Sequence, residues 1–310
     1  MTMSRITILH ENDDWLPPFR AAFAAAGLPY QEWHLNGGRI DLAAPPPDGV
    51  FYNRMSASAL TRGHGHAAQM AAAALDWLTA HGRAVVNGPG ALRLELSKAA
   101  QYAALQAAGV ATPRTHVAVG LGEVRSAAEA FGQAPFILKP NRGGKGLGVR
   151  LVGSLDDLDA QLPAIAAEPT ADDVWLVQEY VPSPDGAITR MEFIGGRLHY
   201  AVRVNTGGAF ELCPAEACAL DGAPPMFEIL DQAPAGLTQA LERFLMANAV
   251  DVAGVEHVAT ADGRILVYDI NTNTNYNPDA EALAGVESGP AALARHLAER
   301  LGRSAVADAA

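Results

Sequence analysis

The chain has 310 residues, 49% of them apolar and 18% charged. That balance belongs to an ordered globular protein, and the length allows two or three domains around a large buried core. A net charge of −12 excludes a general binder of nucleic acid or anionic membrane, so any phosphate ligand must meet a local basic patch.

Arg5 to His10 reads as a strand, and Pro18 to Ala26 as a helix stopped by Gly27. "YQEWHL" and "GVFYNRM" are further strands, separated by the turn-rich "APPPDG". A helix over Gly65 to His81 and the strand "AVVN" follow. This alternation predicts a small parallel α/β layer. Arg54 and Ser56 follow its third strand, where open sheets place ligand crevices. Arg54 is thus a candidate for a substrate carboxylate, or else an arginine salt-bridged at the surface. His64 and His66 have the makings of a metal pair, but a solvated helix N-terminus is the simpler account.

Leu94 to Ala107 is expected to be one helix, with Lys98 in its first turn and Gly109 as its stop. "THVAV" is a strand, and Ser126 caps a short helix ending at Gly132. Pro135 to Val152 then carries two strands joined by a loop containing Gly143, Gly144, Gly146 and Gly148. Glycines let successive backbone N–H groups close on an anion. Lys139, Arg142 and Lys145 add positive charge to the same region. The chain contains just three lysines, Lys98, Lys139 and Lys145, so two of them lie here. Lysine is a compact point charge suited to phosphate.

Ser154 caps a helix over "LDDLDAQL". The apolar strand Val174 to Val181 contains Gln178 and Glu179 near its end, and "PSPDG" after it reads as a domain hinge. From Ile188 onward the pattern turns strand-rich, and Gly207 to Pro234 is irregular. The helices Thr238 to Asn248 and Pro290 to Leu301 show apolar residues at helical spacing, and the last residues read as a frayed tail. Between those helices lies "GVEHVATADGRILVYDIN", with Asp262-Gly263 as a two-residue hairpin turn. Pairing Ala261 with Arg264 sets Glu256 opposite Asp269, with Asn271 on the same face. Val255, His257, Tyr268 and Ile270 then point to the other face. Facing carboxylates call for a cation between them, and such oxygen ligands suit Mg²⁺.

Cys213 and Cys218 lack partners at zinc-finger spacing and read as free thiols of a cytoplasmic protein. No basic segment followed by an apolar run opens the sequence, and no apolar run approaches membrane-spanning length. A dinucleotide dehydrogenase is excluded because the glycines lead into a strand, where the dinucleotide fingerprint requires a helix.

Taken in order, these pieces resemble the ATP-grasp superfamily and, within it, the RimK-like amino-acid ligases, over roughly Leu94 to Asn277. The resemblance implies an α/β chain, α+β in its C-terminal part, with a Rossmann-like domain preceding the grasp. The expected division is 1–95, 96–182 and 183–310. It assigns nucleotide contacts to Lys98, Lys139, the glycine-rich loop with Arg142 and Lys145, and the hinge residues Gln178, Glu179, Tyr180 and Val181. Asp185 is expected at the ribose. Arg190 and Arg203 match cleft arginines and, with Lys139, are the catalytic candidates. Glu256, Asp269 and Asn271 match a magnesium set that would also take Mn²⁺. Arg54, Ser56, Asn205 and Asn273 are substrate candidates, though Asn273 equally suits a plain polar loop.

The implied activity is ATP-dependent joining of a carboxylate to an amine, on an amino acid or peptide, in a homo-oligomer. A carboxylate kinase or carboxylase, or a nucleotide-binding module without turnover, are the alternatives. Two departures stand out. Ile188 occupies a position that is usually acidic, and "TNTNYNPDAEA" replaces a Ser-Pro-Gly-like segment after the metal asparagine.

Overall fold

The computed structural model describes residues 5–144, 146–168, 170–205 and 226–307, with side chains to residue 303. Lys145, Cys213 and Cys218 lie outside the described residues. Among those described, the strands form three sheets.

The first sheet is parallel and has the order β2-β1-β3-β4, built from β1 (Arg5–His10), β2 (Tyr30–His34), β3 (Gly49–Asn53) and β4 (Ala84–Val86). Its central strands β1 and β3 are buried on both faces, as a parallel layer requires, while the edge strand β2 is polar and partly exposed. Phe19 and Phe23 of α1 (Pro17–Ala25) pack on one face and Ala71, Leu75 and Leu78 of α2 (Ala67–Ala80) on the other. Gly49 adopts φ +138 against the Arg5 carbonyl, where any side chain would collide.

The expected helix over Leu94 to Ala107 is instead two helices, α3 (Pro89–Leu96) and α4 (Lys98–Ala107). Ser97 is extended between them, and its hydroxyl accepts from the Ala100 N–H to cap α4. The helix α5 (Val124–Phe131) begins two residues before Ser126, and Gly132 ends it in the left-handed region, as expected.

The second sheet is antiparallel, with the order β5-β8-β6-β7: β5 (Thr115–Val119), β6 (Phe136–Pro140), β7 (Arg150–Val152) and β8 (Val174–Glu179). Phe131 of α5 and Leu158 and Ile165 of α6 (Leu155–Ala166) fill one face of it. Ser154 caps α6 on the Asp157 N–H.

The third sheet has the order β11-β10-β9-β12-β13: β9 (Ala187–Ile194), β10 (Arg197–Asn205), β11 (Phe227–Leu230), β12 (Val252–Ala259) and β13 (Ile265–Asn271). The strand β11 falls inside a stretch expected to be irregular. On the back of this sheet, Met191, Phe193, Val255 and Ile270 meet Leu105 of α4 and Leu241, Phe244 and Leu245 of α7 (Ala235–Ala247). The short helix α8 (Pro278–Ala284) was not foreseen. The closing helix α9 (Gly289–Ala307) extends into the expected tail and packs Leu293 and Leu297 on the first sheet. The C-terminal end of the chain therefore returns to its N-terminal layer.

One buried amide ties these layers together. Asn87 follows β4 with φ 60 and is fully buried. Its Nδ2 donates to the carbonyls of Val252 (2.8 Å) and Thr272 (2.7 Å). Its Oδ1 accepts from the N–H groups of Asp251 (3.1 Å) and Val252 (3.0 Å). The amide thus uses both donors and both lone pairs.

Candidate active site

The hairpin of β12 and β13 brings Glu256 opposite Asp269, but not through the expected turn. Ala259 pairs with Ile265, so the connection is longer than two residues, and Thr260 closes it on the Arg264 carbonyl (2.9 Å). The register shifts between Glu256 and His257. This bulge restores the acid pairing and moves Tyr268. Tyr268 packs with Val258, Leu266, Ile188 and Val204, while Val267 takes the place on the back. The expectation that Tyr268 points away from the acidic face is therefore corrected by the bulge.

A strand at a sheet edge leaves backbone groups without neighbours. On β13 they are met by side chains of α4. Gln101 accepts from the Ile270 N–H (3.0 Å) and donates to its carbonyl (2.8 Å). The Tyr102 hydroxyl donates to the Tyr268 carbonyl (2.6 Å). These bonds fix α4 against the hairpin, and Lys98, three residues before Gln101, ion-pairs with Asp269. Burial pushes the Asp269 carboxyl up, but Lys98 and Lys139 outweigh it and hold it below its ordinary value.

Lys139, on β6, is 6% exposed, and its Nζ donates to the Tyr102 hydroxyl (2.7 Å). Burial and the neighbouring Lys98 lower its pKa to about 7. The base of the glycine-rich loop is tied to the same helix. Asn141 Oδ1 accepts from the Ala99 N–H (3.0 Å) and the Ser97 hydroxyl (3.0 Å). In the loop, Gly146 and Gly148 take φ +70 and +75, and Gly144 lies on Ser58. The Nε and Nη2 of Arg142 are buried without a hydrogen-bond partner among the described residues, and burial lowers its pKa. A buried guanidinium of that kind calls for an anion.

Across the sheet, Arg190 donates to Glu256 Oε1 (3.0 Å) and Glu192 Oε1 (2.6 Å). Burial raises the Glu256 carboxyl against the opposing pull of Arg190. Asn271 Nδ2 lies 3.4 Å from Asp269 Oδ2, which leaves its amide oxygen as the outward acceptor. Two carboxylates and an amide oxygen on one face, balanced by Lys98 and Arg190, match the hard-oxygen donor set that Mg²⁺ or Mn²⁺ takes.

At the end of β8, where the sequence places nucleotide-contact residues, Gln178 is buried and donates to the Thr115 hydroxyl (2.9 Å). Glu179 is held by Arg114, whose N–H meets its carboxylate at 3.1 Å. Val181 flanks the apolar patch formed by Ile188, Val204 and Tyr268. Asp185 accepts from Ser183 (2.8 Å) and pairs with Arg203 (2.9 Å), and its carboxyl is lowered chiefly by the Ser183 bond. Asn205 ends β10, where its N–H meets the Met226 carbonyl (2.8 Å).

The N-terminal candidates are arranged differently. Arg54 is 2% exposed, so the surface ion pair weighed for it does not exist. Its guanidinium stacks on Phe19 at 3.9 Å and donates to Asn275 Oδ1 (2.9 Å) and the Thr274 carbonyl (3.4 Å). It joins the first sheet to the segment after β13. Ser56 caps the turn that follows it and shares a hydrogen bond with Ser58 (2.9 Å). His64 pairs with buried Glu11 (2.8 Å), while His66 is exposed. His10, Asp13 and Glu32 also approach one another, but Arg20 already holds Glu32 through two 2.8 Å bonds.

Sequence reading missed Glu95. It is 8% exposed and accepts from the N–H groups of Ala57 (3.0 Å) and Thr272 (2.7 Å), so it fixes both segments beside the glycine-rich loop. The available signal was a lone acid inside the apolar run "ALRLEL". Asn273, between Thr272 and Thr274, has both side-chain polar atoms buried without a hydrogen-bond partner among the described residues.

No known family model matches the sequence. Solved structures do match, over nearly the whole chain. A RimK-domain ATP-grasp protein from Sphaerobacter thermophilus DSM 20745 aligns with a TM-score of 0.68 at 22% identity, covering 94% of this chain and 99% of that one. The ATP-grasp ligase PsnB, complexed with a minimal precursor, gives 0.68 at 19% identity, covering 96% and 99%. D-cycloserine synthetase DcsG gives 0.65 at 21% identity, again covering 96% and 99%. The chain thus has the ATP-grasp fold. Within that fold, its arrangement is similar to that of the RimK-domain proteins.

Proposed function

We propose that the protein is an ATP-dependent carboxylate–amine ligase acting on an amino acid or peptide. The observation that carries this reading is the meeting of two charged surfaces. The oxygen face of Glu256, Asp269 and Asn271 adjoins Lys98 and Lys139, and Arg142 of the nearby glycine-rich loop buries two nitrogens that have no hydrogen-bond partner among the described residues. The ATP-grasp fold supports the coarser part of this reading, an ATP-dependent ligase. PsnB has been solved with precursor, Mg and ADP, and the macrocyclase MdnC with a precursor peptide.

In this reading, Lys139, Lys98 and Arg142 neutralise the phosphates, and loop amides around Gly143 and Gly144 cradle them. The apolar patch of Val181, Ile188, Val204 and Tyr268 takes the base, with Asp185 at the ribose. Glu256, Asp269 and Asn271 would hold Mg²⁺, which when bound would offset the charge of the transferring phosphoryl group. The substrate carboxylate attacks the γ-phosphorus and ADP leaves, giving an acylphosphate. An amine then attacks the acyl carbon, phosphate leaves, and the nitrogen loses a proton. Arg203 faces the transferring group once a ligand draws it from Asp185. Closure of the glycine-rich loop over Ser58 excludes water, which would otherwise hydrolyse the acylphosphate.

The test is a screen of paired amino acids and short peptides for ADP release, with products identified by mass. ADP release that needs an amine, together with a product lighter by one water than its two substrates, is the expected result. Release without an amine points to a carboxylate kinase. No release from any pair removes the proposal.

A further inference from the structure

Arg190 is held in a closed ring of hydrogen bonds. Its Nε donates to Glu192 Oε1 (2.6 Å). Thr274 Oγ1 donates to Glu192 Oε2 (2.8 Å) and accepts from Arg190 Nη2 (2.6 Å). The ring occupies the Nε/Nη2 edge of the guanidinium and leaves Nη1 directed at Glu256 Oε1 (3.0 Å). Glu192 is fully buried, so this is a built arrangement and not a surface ion pair.

Gly254 on β12 supplies an independent sign. A Cβ there would lie 2.5 Å from Nη2 and 2.6 Å from Nε of Arg190. The guanidinium therefore lies flat against the strand two residues before Glu256, in a space that only glycine leaves open. Three elements converge on one planar group: β9 through Glu192, β12 through Gly254, and the segment after β13 through Thr274.

From this geometry we infer that Glu192 and Thr274 are positioning residues for the metal site: through Arg190 they fix Oε1 of Glu256 and so set the orientation of a carboxylate that the ligase reading gives to the ion. The inference rests on the ligase reading, because the ion is the one that reading requires. Groups that orient a ligating carboxylate in this way typically change metal affinity by about 10- to 100-fold when removed.

The test measures Mn²⁺ binding by calorimetry and by electron paramagnetic resonance, in the presence of a non-hydrolysable ATP analogue. Thr274→Val removes the hydroxyl at nearly constant volume. Thr274→Ser restores it. Gly254→Ala disturbs the guanidinium from its other side, and Glu192→Gln keeps shape while removing charge. Thr274→Val and Gly254→Ala are expected to weaken Mn²⁺ about tenfold or more. Metal-free affinity for the analogue should stay within twofold, and Thr274→Ser should return near wild type. A purely structural role would lower the melting temperature without this selective loss of metal. Folded Thr274→Val and Gly254→Ala proteins with wild-type Mn²⁺ affinity overturn the inference alone. A wild-type protein that binds no Mn²⁺ with the analogue overturns the ligase reading and the inference with it.

Discussion

Lys139 offers the sharpest test of the proposed site, because a nucleotide bound there would change its charge. The ammonium is buried, it faces a second lysine, and its pKa sits at about 7 against an ordinary 10.5. At pH 8 about a tenth of the free protein carries the proton. Phosphates set against Nζ favour the charged form and restore a pKa well above 8. Binding of a nucleotide at pH 8 should therefore take up about 0.9 proton, and at pH 6 close to none.

The assay is calorimetric titration with a non-hydrolysable ATP analogue in two buffers of different ionisation enthalpy. The difference in apparent enthalpy gives the proton count directly. Affinity should also fall about tenfold per pH unit above pH 7, which is about 1.4 kcal/mol for each unit. Lys139→Met and Lys139→Arg should both abolish the uptake, one having no proton and the other never losing it. The stability of the free protein follows from the same shift. Below about pH 7 both folded and unfolded chains hold the proton. Between about 7 and 10.5 the unfolded chain holds more, so stability rises with pH across that window. Zero uptake at pH 8, or the same uptake in Lys139→Met, would refute the reasoning.

Asp269→Asn should leave a folded protein whose ATP turnover is down by at least about 10²-fold, measured as ADP release beside an unchanged circular dichroism spectrum. Asn273 has a donor and an acceptor buried without partners, so Asn273→Ala should raise the KM of one substrate and leave that of ATP alone. Initial-rate kinetics on each substrate would read this. Asn87→Ala removes an amide with four bonds to the backbone of β12 and its neighbours and should cost on the order of 3 kcal/mol, read as a lowered midpoint in urea.

Much of the site was legible because its chemistry is carried by rare residues in local patterns. The lysines, the glycine run and the alternation of Asp269 with Asn271 can each be read within a short window. What could not be read is the set of polar groups whose partners lie far along the chain. Glu95 meets Thr272, Asn87 meets Val252, and Glu192 meets Thr274. Each is buried, Glu95 within an apolar helical run, Asn87 just past a strand and Glu192 on a strand beside Arg190, but sequence spacing does not name the partner. Arg54 shows the converse. Its place after a parallel strand suggests a ligand, and only the packing of Phe19 and Asn275 reveals a buried joint between layers. The helix break at Ser97 was missed because "SKAA" reads as helix interior unless Asn141 is seen to hold the N-terminus of α4.

The hairpin register shows why a right conclusion about facing residues need not rest on the right turn. A two-residue turn and a longer one differ by one position, and a one-residue slip moves every side chain to the opposite face. With the longer turn alone, Glu256 would face Tyr268, and Asp269 would move to the back of the sheet. The bulge at Tyr268 cancels the slip at the one point where it matters. It also brings an aromatic ring onto the face that carries the acids, beside Ile188 and Val204 and next to Val181. The same irregularity therefore sets the acids opposite each other and adds a ring to the apolar wall. Straightening the strand by deleting one residue there would remove both features together.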